Sequence, residues 1–246
     1  MIETNPASPL PTPPALPPGR AATPPLGTHP EEQVPIASLV AAIEALLRQP
    51  RRVMFQLRQA NQTHLTALLL MIAIICALIY GFVVGTFSGG EQLWAAPIKI
   101  AAGLVLSALI CLPSLYIFSC LSGSQARLGD VCGLVAGLLT LMTVLLIGFV
   151  PVAWVFSQST ESVPAMGSLH LVFWLIATYF GLRFLYDGFT QFKAESSDGL
   201  KVWIIIFLLV ALQMTTALRP IVGKADTFLP VEKRFFVSHW ADCLKQ

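Results

Sequence analysis

Residues 95–156 read AAPIKIAAGLVLSALICLPSLYIFSCL (95–121), SGSQARLGD (122–130) and VCGLVAGLLTLMTVLLIGFVPVAWVF (131–156). Each apolar run is long enough to cross a bilayer, because about 20 helical residues rising about 1.5 Å each span a hydrocarbon core of about 30 Å. The polar stretch Ser122–Asp130 is too short to hold a domain. The two runs therefore read as an antiparallel transmembrane hairpin, expected to pack tightly. The rest of the chain attaches to it.

Composition agrees. The chain is 55% hydrophobic and 11% charged, where soluble domains carry roughly a quarter charged residues. Mean hydropathy is +0.73, and the apolar residues are gathered in long blocks, the pattern of a membrane protein. A formal net charge of +2, with no basic stripe interleaved with aromatics, argues against nucleic acid as a partner. Cys76, Cys111, Cys120, Cys132 and Cys243 form no CxxC or Cys/His spacing, so neither a metal site nor a disulfide framework is expected. No cofactor is expected.

Residues 1–33 hold ten of the eighteen prolines and no apolar signal-peptide core. They read as a disordered, locally polyproline-II tail, either a solvated leader or a PxxP-type arm for a protein partner. Residues 34–60 differ. Ile36, Leu39, Val40, Ile43, Leu46 and Leu47 recur at helical spacing after Ser38, a plausible N-cap, and Gln49-Pro50 stops that helix. Arg48, Arg51, Arg52 and Arg58 then stand among apolar residues directly before the first span. Two readings follow: a helix lying in the headgroup layer with its arginines on lipid phosphates, or a helix packed on the underside of the bundle.

Residues 61–219 hold five runs: Leu65–Phe87, Ala95–Leu121, Val131–Phe156, Leu169–Phe184 and Val202–Leu218. The fold class is an all-α transmembrane bundle. Basic residues precede span one and flank the second loop and span four, whereas Ser88–Trp94 and Gln158–Ser168 contain no Lys or Arg, which puts the N-terminus in the cytoplasm. With five spans, residues 220–246 lie outside, and Val231–Leu244 could form an interfacial helix. Its basic load (Lys224, Lys233, Arg234, Lys245) would suit an inside tail, so a four-span alternative omits the fourth run. Pro97 falls in the first turn of the second run and Pro113 in its interior.

Polar residues inside these runs are the functional candidates. Lys99 either lines a polar pathway or snorkels its stem to the headgroups. Gln213, Thr215, Thr216 and Arg219 make the outer half of span five polar, as helix glue or as a cavity wall. Arg183 and Asp187, four apart, can pair at a helix end. Gly133 and Gly137 offer a close-packing face to span two or to a second protomer, which leaves a homo-oligomer open. His170 and His239 stand alone. No catalytic constellation is visible, so the chain is read as a non-enzyme.

Leu46-Leu47-x-x-Pro50-Arg51-Arg52 before span one, the five-span layout, and Gly123-Ser124-x-x-x-Leu128-x-x-Val131 entering span three resemble the bacterial branch of the Yip1 family. That resemblance implies a five-helix bundle of the bacterial inner membrane, acting as a scaffold or accessory subunit, with its partner-binding region in the cytosolic N-terminal tail. The competing class is a small transporter or channel component with an outward-facing vestibule.

Overall fold

The computed structural model describes residues 25–59, 62–90, 92–160, 162–191 and 198–217. These are all-α. Two short helices, α1 (Leu39–Arg48) and α2 (Pro50–Gln56), precede five long ones, α3 (Gln62–Ser88), α4 (Gln92–Leu121), α5 (Leu128–Ser159), α6 (Val163–Thr190) and α7 (Asp198–Ala217). All five long helices have the length and apolarity to cross a membrane. The fourth run, the one open to omission, is 28 residues long as α6. Ser168, Arg183 and Asp187 hide that length from a hydropathy reading. The helix runs on past them, and the Ser162 hydroxyl caps it by accepting from the Ala165 amide at 3.4 Å.

The α4–α5 hairpin, expected to pack tightly, does not. Close contacts run in the order α7–α4–α3–α5–α6, and α4 meets α5 over a short stretch only, because α3 lies between them. Apolar length could not reveal this, since lipid is as apolar as leucine and neighbours are chosen by surface shape. Of the five, central α5 is the most buried and edge helix α7 the least.

Glycines set where the helices close. A Cβ on Gly81 would stand 2.4 Å from the Pro97 Cα, so α3 and α4 touch backbone to backbone. Pro97 is correspondingly interior to α4, which begins at Gln92 rather than near Ala95. The Gly133/Gly137 face is filled from within the chain, and not by α4. Leu57 and Thr66 lie over Gly133, and the Phe184 ring of α6 lies over Gly137. In return Gly181 and Gly188 of α6 admit Leu138, Met142 and Leu134 of α5.

A few directed bonds join the helices. Thr140 of α5 donates within reach of the Leu69 carbonyl of α3 at 2.8 Å. Trp203 of α7 is fully buried and donates Nε1–H to the Cys111 carbonyl of α4 at 2.8 Å. The α4–α5 turn closes on Gly123, whose φ of +71° favours glycine, with the Ser124 amide returning to Ser119 at 3.1 Å. Asp130 then caps α5 by accepting from the Arg127 amide at 2.8 Å.

Gly81→Ala should lower stability by about 1–3 kcal/mol, because a methyl there meets backbone that cannot step aside. Gly133→Ala should cost less, since its nearest neighbour is the tip of the flexible Leu57 side chain. Unfolding of the detergent-solubilised variants ranks the two.

Candidate functional site

The end of the bundle that carries α1 and α2, here the near end, holds the densest set of directed polar contacts. Ser38 caps α1 by accepting from the Ala41 amide at 3.2 Å, and Ala42, Ala45 and Leu46 are buried against the bundle. Pro50 opens α2 in the first turn, where a missing amide costs nothing. Leu57, 1% exposed, seals the join by filling the space over Gly133. Both helices contact the bundle: α1 meets α3 and α5, and α2 meets α6. Val40 and Leu47 remain exposed on the outer side of α1.

Folded structure begins before residue 34. Of the tail expected to be disordered, residues 25–33 are described, and Pro30–Gln33 is a short 3₁₀ turn packed on α2. Gly27, at φ +90°, lies against the Phe55 ring, where a Cβ would be 2.7 Å from a ring carbon. Glu32 is 4% exposed. Its carboxylate accepts from Arg51 Nε at 2.7 Å and from the Gly27 amide at 2.5 Å. Arg51 also donates to the Pro25 carbonyl at 3.3 Å. Arg52 donates to the carbonyls of Val34 at 2.9 Å and Pro35 at 3.3 Å. Gln56 donates to Val34 and accepts from the Ile36 amide at 2.9 Å.

Arg51 and Arg52, placed on lipid phosphates by one of the two readings, are engaged within the chain as a clasp over residues 25–36. Arg58 reaches the Gln191 carbonyl at the end of α6 (3.5 Å), and Arg48 makes an exposed pair with Glu44 (3.4 Å). Partners 17 or more positions away for Arg51, Arg52 and Arg58 made this arrangement invisible to a local reading.

The far half of the bundle holds a second polar grouping. Lys99 is 1% exposed, so its side chain is enclosed by protein and does not snorkel along the lipid face. α4 and α7 run antiparallel with Trp203 opposite Cys111, and equal intervals along each helix, about 18 Å of rise, bring Thr215 level with Lys99 and Gln213 close by. On α3, Tyr80 is one residue from the Gly81–Pro97 contact and so shares that depth. Its hydroxyl meets His170 Nδ1 of α6 at 2.6 Å, so His170, read as an isolated group, is cross-linked to α3. Tyr80 gave no local signal of this, because its partner lies ninety residues on.

Thr215 donates to its own helix at Leu212 (2.6 Å). Arg219, His239, Cys243 and residues 220–246 lie outside the described residues, as does the side chain of Thr216. Arg183 and Asp187 are both exposed, and among the described residues no ion pair joins them. Among the described residues no group of three or more His, Cys, Asp or Glu is placed to hold a metal. Cys76, Cys111, Cys120 and Cys132 are free thiols.

Five spanning helices with a folded cap at one end define a polytopic α-helical membrane protein. No protein-family model, curated protein or solved structure matches the chain. The five-helix architecture that the Yip1 resemblance implies is present, but membership of that family has no support from these comparisons.

Burial pushes the Glu32 carboxyl up, but the Arg51 hydrogen bond, the Gly27 amide and the charges of Arg51 and His29 outweigh it and hold the acid below its ordinary value of 4.5. Folding over α2 thus favours the carboxylate. Its contribution is complete above 4.5 and is lost as pH falls through the lowered value. Amide-exchange protection at Gly27 and Ile36, corrected for intrinsic rates, should be level above that pH and fall below it, and Glu32→Gln should abolish the step. At the far end, Lys99→Cys should resist an impermeant maleimide in intact vesicles while Trp94→Cys, at a site 73% exposed, labels readily.

Proposed function

We propose that this chain is a non-enzymatic scaffold or accessory subunit of the bacterial inner membrane, with α1 and α2 on the cytosolic side and a partner-binding arm in the N-terminal residues. The observation that carries the reading is the clasp. Two arginines, Arg51 and Arg52, and a fitted carboxylate position the start of the arm against the bundle, so the residues ahead of Pro25 leave from a defined point. The basic load at that end supports a cytosolic placement by the positive-inside rule. A scaffold of this layout is also what the likeness to the bacterial Yip1 branch implies, through architecture alone.

Removing residues 1–24 leaves the Arg51–Glu32 contact in place and tests the arm directly. Proteins that co-purify with the full chain from native membranes should be lost from the shortened one. An unchanged set of partners refutes the recruiting role.

A transporter component is the second reading, and the burial of Lys99 level with Gln213 and Thr215 is what favours it. Polar groups at one depth on neighbouring helices suit a solute path as well as helix glue. Cysteines at positions 213 and 216 that react quickly with a water-soluble reagent from the far side would support this reading over the scaffold. Unreactive positions mean packed helices.

A further inference from the structure

We infer that residues 25–36 are a built-in strap occupying an anion site on α2, and that the external ligand of this site is the phosphate headgroup of an anionic lipid. The inference goes beyond the scaffold reading and holds whether or not the arm engages a protein. The site is built for an anion. One carboxylate oxygen of Glu32 takes the Arg51 guanidinium and the other takes the Gly27 amide, and the carboxylate is almost wholly enclosed. Beside it the Arg52 fork is satisfied by the two carbonyls of Val34 and Pro35, which are weaker acceptors than a charged oxygen.

Charge makes the strap a reversible occupant. Residues 25–59 carry four arginines (48, 51, 52, 58) against Glu31, Glu32 and Glu44. Two of the three acids ride on the strap. When it lifts, the helices keep four positive charges against one negative, so the formal charge of the exposed surface rises from +1 to +3.

Position selects a lipid over a soluble anion. α2 ends at Gln56 and the first spanning helix begins at Gln62, so the guanidinium groups are held next to the headgroup layer. An arginine fork there finds phosphate oxygens at high local concentration and binds them in bidentate fashion. Exchange of carboxylate for phosphate frees the strap and leaves Phe55 uncovered on the Gly27 side.

The test uses the full chain in nanodiscs of phosphatidylcholine, alone or mixed with phosphatidylglycerol, and reads hydrogen exchange at the Gly27 and Ile36 amides. Both amides bond within the clasp. Exchange should quicken about fivefold with phosphatidylglycerol, the equivalent of one arginine's attraction to an anionic surface. Glu32→Gln should exchange fast in either lipid and retain more phosphatidylglycerol by native mass spectrometry than the unaltered chain. Arg51→Gln with Arg52→Gln should also free the strap but lose the lipid preference, and an unchanged helical circular dichroism spectrum shows that the bundle is intact. Equal exchange in both lipids, with no gain of lipid by Glu32→Gln, overturns the proposal. Release by inorganic phosphate in pure phosphatidylcholine, matching that by phosphatidylglycerol, overturns the lipid assignment.

Discussion

Helices inside a bilayer gain nothing by hiding leucine from lipid, so this bundle depends on how closely α5 can be approached from both sides. Small residues supply that approach. Gly133 and Gly137 on α5, and Gly181 and Gly188 on α6, each receive a side chain from the facing helix. Dispersion contacts are individually weak but numerous at such short range, and they hold only where no methyl intervenes. The Gly81–Pro97 contact does the same for α3 and α4. α7 has one neighbour of consequence and depends on the Trp203 ring and its bond to Cys111.

The two ends are then completed by different physics. At the near end, charge-assisted hydrogen bonds between arginines and main-chain or carboxylate oxygens fold residues 25–36 back over α2. In the far half, Lys99 and Tyr80 are buried, and the Tyr80 hydroxyl is bonded to His170 Nδ1 across two helices. Lys99 belongs to this second set, enclosed at the depth of Thr215.

These two regions support separate roles within one frame. At the near end the residues around Pro30–Gln33 bear on α2, apart from the α3–α5 contact at the centre of the bundle. The far layer lies within the packing itself, so a change there involves several helices together.

Five spans were legible from composition and block length alone, since the bilayer imposes one length and one polarity on anything that crosses it. The Ser38 cap, the Gln49-Pro50 stop and the glycine face on α5 were legible too, because each is a local pattern with a local cause. Neighbours were not. That α3 separates α4 from α5, that Gly137 meets Phe184, and that Lys99 is enclosed all depend on three-dimensional complementarity between surfaces of near-identical composition. The arginines before span one were visible as a cluster, while their engagement with Glu32, Val34 and Pro35 was decided by a chain reversal that no periodicity records. Sequence determined where the chain sits in a membrane, because solvation is read residue by residue. Tertiary structure decided which surfaces meet and which charges are free, because those depend on pairs of residues far apart in the chain.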